Sequence, residues 1–211
     1  MKREERTVII LEELKKLYPD ANCQLEYQGM PHRLVVATIL SAQTTDAAVN
    51  RATPALWKKY PTTRDLALGE RYQVEELLKT IGLFRNKTGF IIKAAAFLEE
   101  NGLPDTIAEL VKIPGVGRKT ANVIMGEIFK QPSVTVDTHV KRLSVRLGLS
   151  KNTTPEKIER DLRKIIPPDE QTMFCHRMIT HGRQVCHARK PLCSVCTLRE
   201  ICPASMKKGS P

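Results

Sequence analysis

Apolar residues recur at three- and four-residue spacing almost throughout the 211-residue chain, the period of an amphipathic α-helix. Val8, Leu11, Leu14 and Tyr18 mark one helix face, closed by Pro19. The run from His32 to Leu40 is apolar but too short to assign alone, and it leads straight into Ser41-Ala42-Gln43-Thr44-Thr45-Asp46. Thr45 or Asp46 can cap a helix through Val49 and Leu56 to Tyr60, ended by Pro61. Val74, Leu77, Leu78 and Ile81 mark another, stopped by Gly82. Asn86 can cap the next, through Phe90, Ala94 and Leu98 to Asn101-Gly102. A short helix over Thr106 to Ile113 ends before Pro114, and helices over residues 118–130, 138–147, 155–166 and 171–182 complete the series. Only Ser133-Val134-Thr135-Val136 reads as extended, and a lone strand has nothing to pair with. The pattern predicts an all-α fold whose chain crosses between two helical lobes near Gln131-Pro132. It also predicts a disordered tail from Met206 to Pro211.

With 41% hydrophobic and 27% charged residues the chain is globular rather than disordered or fibrous. No segment approaches the roughly 20 apolar residues that span a bilayer. Met1-Lys2-Arg3-Glu4-Glu5-Arg6 is no signal peptide, so a soluble intracellular protein without a membrane partner is expected. Charge sharpens this picture. Residues 1–110 hold 15 basic and 15 acidic side chains, whereas residues 111–211 hold 19 against 8, which is the whole net charge of +11. An excess confined to one half points to a polyanionic partner more than to a merely solvated basic surface. Five Phe, four Tyr and one Trp do not interleave with the basic residues, which disfavours a base-stacking, single-strand-binding surface and leaves duplex DNA.

Four of the six cysteines fall within 17 residues, Cys186, Cys193, Cys196 and Cys202, spaced C-x6-C-x2-C-x5-C. Two disulfides in so short a loop are geometrically awkward and out of place in a reducing compartment. A metal centre held by four thiolates is the better reading. Zinc sites favour two separated C-x2-C knuckles, whereas uneven arms around one central C-x2-C suit a cuboidal [4Fe–4S] cluster; both remain open on spacing alone. The loop between the first two cysteines would present Arg189 and Lys190 to phosphate on a stiffened platform. Cys23 and Cys175 stand apart and read as small buried apolar residues.

Between two predicted helices lies Ile113-Pro114-Gly115-Val116-Gly117-Arg118-Lys119-Thr120-Ala121. Gly115 and Gly117 permit positive φ and close backbone approach, and they leave the first N–H groups of the following helix as an anion site. A phosphate held there is gripped without base information. Lys119, in that helix's first turn beside Arg118, reads either as a phosphate anchor or as a nucleophile. Dipole and neighbour both oppose its charge, which favours the neutral amine. Eighteen residues on, Val136-Asp137-Thr138-His139 places Asp137 as a helix N-cap whose second oxygen could serve a reaction, while His139 reads as a packing residue.

Together these segments resemble the endonuclease III family of the helix-hairpin-helix DNA glycosylase superfamily. The resemblance rests on Leu40 to Asp46, Thr80-Ile81-Gly82-Leu83-Phe84, the hairpin, Val136 to His139 and the cysteine loop, and it covers nearly the whole chain. It implies a two-lobed helical fold, with a six-helix barrel over residues 24–131 and a cluster lobe from residues 1–23 and 132–211. It implies one [4Fe–4S] cluster on the four cysteines, with Lys119 as nucleophile and Asp137 as assisting carboxylate. Gln43 would fill the gap left by a flipped nucleotide, and Leu83 would wedge against the opposite strand. The partner it implies is duplex DNA bearing oxidised or saturated pyrimidines or abasic sites, acted on by a monomer in a bacterial cytoplasm, at the nucleoid. Two departures are small: Ile113 stands before Pro-Gly where leucine is more familiar, and Gly89 interrupts a helix and could loosen it.

Two other readings compete. An adenine-specific mismatch glycosylase would lack a lysine at position 119 and carry a further C-terminal domain. A non-catalytic helix-hairpin-helix protein with a structural four-cysteine metal site explains the charge and the hairpin but leaves Asp137 and Gln43 without a role. Colour separates zinc from iron at once: the purified protein is expected to be brown, and a colourless, metal-replete preparation would favour the structural zinc.

Overall fold

The computed structural model describes residues 1–206, and these contain twelve α-helices and no strand. The expected disorder of the tail concerns residues 207–211, outside the described residues; Met206 itself closes the last helix. The chain divides into two compact units, one of residues 24–131 and one that joins residues 1–23 to residues 132–211. No described helix is long and apolar enough to cross a membrane.

The N-terminal helix α1 (Arg3–Leu17) belongs to the second unit. Residues 24–131 form α2 (Pro31–Leu40), α3 (Asp46–Lys59), α4 (Thr63–Ala67), α5 (Arg71–Leu78), α6 (Phe84–Asn101), α7 (Ile107–Leu110) and α8 (Arg118–Glu127). The ambiguous run before Leu40 is α2, in which every residue from Arg33 to Leu40 is buried. A helix enclosed on all sides has no polar face to reveal its period. The longest helix, α6, packs against α2, α4 and α5, and buries Lys87, Thr88, Ile91, Ala94, Ala95 and Leu98 along one stripe. Asn86 does not cap it. The helix begins two residues earlier at Phe84, with Leu83 as N-cap in the left-handed conformation, and Asn86 lies within the first turn. Gly89 does not interrupt α6 either; its Cβ position meets nothing within 4 Å. The periodicity misses α4, which buries only Leu66. A capping box defines it instead: Asp65 N–H donates to Thr62 Oγ1, and Thr62 N–H to Asp65 Oδ2, each at 3.1 Å. Thr45 caps α3 by accepting from Ala48 N–H, as expected.

The second unit comprises α1, α9 (Thr138–Arg146), α10 (Pro155–Ile165), α11 (Gln171–Gln184) and α12 (Pro203–Met206). Its core gathers Ile10 and Leu14 of α1 with Val140, Leu143, Leu162, Phe174 and Met178. The face of α1 differs from the expected one. Thr7, Ile10 and Leu14 are buried, while Val8 is 60% exposed. Thr7 tolerates burial because its hydroxyl donates to Arg3 O at 2.9 Å. The extended segment 133–136 forms no strand and instead presses Val134 and Val136 into this core. Burial pushes the Cys175 thiol up to about 12, so it is an inert core residue; Cys23 is only half-buried.

Ile10→Ala is expected to destabilise the protein by roughly 2–5 kcal/mol, whereas Val8→Ala should stay within about 0.5 kcal/mol of wild type. Thermal denaturation of the two variants distinguishes the observed face of α1 from the one the periodicity suggests.

Candidate functional site

Within residues 24–131 the hairpin is built on two buried anchors, Ile113 and Val116, 1% and 5% exposed. Val116 N–H donates to Ile113 O at 3.0 Å to close the turn, and Ala121 N–H to Gly117 O at 2.9 Å begins α8. Ile113 therefore fills the anchor position that leucine would occupy. Gly115 has φ +85°, and a Cβ there would fall 2.9 Å from Phe90 Cβ and 3.2 Å from Ile39 Cγ2. Conformation and space both demand glycine. Gly117, the N-cap of α8, brings no side-chain acceptor to the first turn, where Arg118 and Lys119 are exposed. That arrangement suits an anion supplied from outside the protein.

The two loops leading out of α2 and into α6 carry Gln43 and Leu83. Both side chains are exposed, Leu83 by 58%, and both residues adopt left-handed backbone, φ 54° and 60°. The loops meet at Thr44. Lys87 Nζ donates to Thr44 Oγ1 at 2.6 Å, and the Cβ position of Gly82 lies 3.9 Å from the same oxygen. Lys87 is 4% exposed, and that burial lowers its pKa from the ordinary lysine value. Sequence reasoning missed this residue. Its signal was present: Lys87 sits on the apolar stripe of α6, four residues before Ile91, where a charge is out of pattern.

The second unit holds the other candidate groups. Asp137 is the N-cap of α9, with Oδ1 accepting from Val140 N–H at 2.7 Å. One oxygen is thus committed to the helix, and the half-buried carboxylate keeps the other. His139 packs its ring against Gly182, and Arg142 Nη2 stands 3.1 Å from Nδ1. Burial lowers its pKa, opposed by the Asp137 carboxylate. Lys119 and Asp137 belong to different units, and each is placed here within its own.

Cys186, Cys193, Cys196 and Cys202 line one cavity of about 530 Å³, mouth included, with apolar walls from Leu143, Leu147, Val185 and Leu192. Among the described residues no group of three or more Cys, His, Asp or Glu side chains is arranged to hold a single metal ion. Burial raises the Cys196 thiol, and the three neighbouring cysteines add to that effect. Arg146, at the end of α9, donates to Cys186 Sγ at 3.3 Å, to His187 O at 2.6 Å and to Ala188 O at 2.9 Å. Arg142 donates to Gly182 O and Cys186 O. These arginines fix the root of the loop that exposes Arg189 and Lys190, the latter at φ 50°. Neither arginine was a candidate from sequence, where charges on an amphipathic helix read as a solvated face. Behind the cavity, Tyr18 Oη and His181 Nδ1 stand 2.9 Å apart, and His181 Nε2 is 3.6 Å from Cys196 Sγ. Burial drives His181 down to about 4, leaving it neutral.

Residues 36–168 match the HhH-GPD superfamily of base excision DNA repair proteins. The chain is 51% identical over 207 residues to endonuclease III of Synechocystis sp., covering 96% of this chain and 94% of that one. To endonuclease III of Escherichia coli K12 it is 38% identical over 199 residues, 92% of each. Its structure superposes with a TM-score of 0.93 on a trapped endonuclease III–DNA covalent intermediate, at 40% identity and 99% coverage of both chains.

Gly115→Ala is expected to destabilise the protein by about 1–3 kcal/mol, through overpacking and a strained backbone together, and to weaken DNA binding. Gly117→Ala, at φ −95° with open space around it, should cost less than about 1 kcal/mol. Equal effects of the two changes would contradict the packing described.

Proposed function

We propose, for a chain that belongs to the endonuclease III family of HhH-GPD base excision DNA repair proteins, that Lys119 is the attacking nucleophile and Asp137 its assisting carboxylate. The protein is a DNA glycosylase and abasic-site lyase, and DNA is its partner. The observation that carries the assignment of Lys119 is its place in the first turn of α8, exposed and directly after an uncapped glycine turn. The covalent DNA complex trapped for a 40% identical protein supports an amine rather than water as nucleophile. In this reading the substrates are oxidised or saturated pyrimidines in duplex DNA. The protein acts as a monomer in the cytoplasm of a bacterium, at the nucleoid; residues 24–131 form the barrel domain, and residues 1–23 and 132–211 the cluster domain.

The amine of Lys119 attacks C1′ of the extruded nucleotide, and the N-glycosidic bond breaks with its electron pair leaving on the base, which takes up a proton. The uncapped oxygen of Asp137 offsets the positive character that develops on the sugar. The amine now on C1′ opens the sugar ring, the C1′–O4′ bond breaking with its electron pair on O4′, which takes up a proton. The iminium so formed acidifies the C2′ proton, whose loss expels the 3′ phosphate by β-elimination and breaks the strand 3′ to the lesion. Water hydrolyses the imine to release Lys119. Gln43 fills the space the nucleotide vacates and Leu83 wedges against the opposite strand, since chemistry on a stacked base requires its extrusion. Gly115, Gly117 and Arg118 hold phosphate at the hairpin, and Arg189 and Lys190 hold it at the cysteine loop.

Cys186, Cys193, Cys196 and Cys202 would hold one [4Fe–4S] cluster. Four thiols lining one cavity, with one central C-x2-C between longer arms instead of two separated knuckles, fit a polynuclear centre better than zinc. What such a group supplies when bound is cross-linking of the loop that carries Arg189 and Lys190.

Lys119→Gln should abolish borohydride trapping and strand scission on an oxidised-pyrimidine duplex while DNA binding survives. A reduced adduct formed at the wild-type rate would make another amine the nucleophile. Asp137→Asn retains a capping side chain, so a rate loss on the order of 10²-fold or more without a change in thermal midpoint would mark it as catalytic. Cys196→Ser should bleach the protein and destabilise the second unit; a brown, fully stable variant would overturn the ligand set.

A further inference from the structure

The buried Lys87 has no part in the chemistry above, yet it sits where the loops of Gln43 and Leu83 meet. Lysine is almost never so fully enclosed without a reason. Lys87 is 4% exposed, and among the described residues its one hydrogen-bond acceptor is Thr44 Oγ1. Thr44 Oγ1 in turn donates to Ala42 O at 3.5 Å, so Gln43 is bracketed between two tethered neighbours. The same lysine reaches the second loop through its backbone, where Lys87 N–H donates to Leu83 O at 3.1 Å.

From this geometry we infer that Lys87 is a positioning residue: it ties the Gln43 loop to the Leu83 loop and sets the spacing of the two side chains that enter the duplex. The inference rests on the proposed roles of Gln43 and Leu83. Both are left-handed non-glycine residues, and such backbone persists only where the surroundings over-determine it. The Lys87–Thr44 bond supplies that restraint across the two loops. A well-packed apolar side chain at position 87 would serve stability as well or better, because a buried charge carries a desolvation penalty. Positioning and stability therefore respond in opposite directions to the same substitution.

That opposition defines the experiment. Lys87→Met keeps the long stem and removes the bond from one side; Thr44→Val removes it from the other, and Thr44→Ser restores the hydroxyl. The probe is a duplex carrying an oxidised pyrimidine beside 2-aminopurine, whose fluorescence reports extrusion. Lys87→Met and Thr44→Val are each expected to slow extrusion and single-turnover cleavage about tenfold, the worth of one charged-group hydrogen bond. Affinity for undamaged duplex should stay within about twofold, the thermal midpoint should hold or rise in Lys87→Met but fall in Thr44→Val, which strands the enclosed ammonium, and Thr44→Ser should turn over like wild type. The double variant should be no slower than either single one.

Wild-type extrusion by Lys87→Met and Thr44→Val, alongside slow extrusion by Leu83→Ala, overturns the positioning role and leaves the wedge reading standing. Wild-type extrusion by Leu83→Ala and Gln43→Ala as well removes the wedge reading, and this inference with it. A rate loss matched by a fall in thermal midpoint and not rescued by Thr44→Ser reduces Lys87 to a structural residue. Should Lys87→Met fail to fold, Thr44→Val and Thr44→Ser decide the question.

Discussion

A single close contact organises the unit of residues 24–131: the backbone at Gly115, at φ +85°, lies against Phe90 and Ile39 with no room for a β-carbon. Ile39 is the penultimate residue of α2, and Phe90 lies in the first half of α6. The same two helices border the loops of Gln43 and Leu83. Through this contact the glycine hairpin and the loops that expose Gln43 and Leu83 share one frame, and Lys119 follows Gly115 by four residues. Packed interiors do not deform gradually, so these groups hold fixed relative positions before any DNA arrives.

The second unit uses a helix in a comparable way. Asp137 caps the start of α9, and Arg142 and Arg146 leave its last turns to hold carbonyls and a sulfur of the cysteine loop. Nine residues of helix thus connect a carboxylate suited to chemistry with a loop suited to phosphate. The cap hydrogen bond that starts the helix also fixes the orientation of the carboxylate. The buried, neutral His181 and its neighbour Tyr18 close the far side of the cysteine cavity without adding charge to it.

Sequence pattern was most informative where chemistry is encoded locally. The hairpin glycines, the Asp137 cap and the four cysteines each depend on short-range spacing, and the structure places each as a local unit of that kind. Pattern failed where tertiary surroundings decide. On α1 the apolar Val8 faces out while Thr7 faces in, because a hydroxyl can satisfy itself within the helix. Asn86 is a good capping residue, yet α6 starts earlier because Leu83 adopts a left-handed backbone that no propensity favours. Helix α4 hides because one buried leucine makes no period. Lys87, Arg142 and Arg146 escaped notice for a shared reason: a charged residue on a helix reads as surface, and only tertiary structure shows which of them turn inward.

Unit 1–23 with 132–211 brings α1 against α11, elements more than 150 residues apart in the chain. During synthesis, therefore, Ile10 and Leu14 cannot pack against α11 until the long stretch of chain between them has been made. Residues 24–131 can condense meanwhile as a self-contained unit, since their contacts lie within one continuous stretch. Loop-closure entropy makes the late docking of α1 slow compared with local helix pairing. Until α11 has been made, the nascent chain carries the apolar face of α1, Ile10 and Leu14, without its cover.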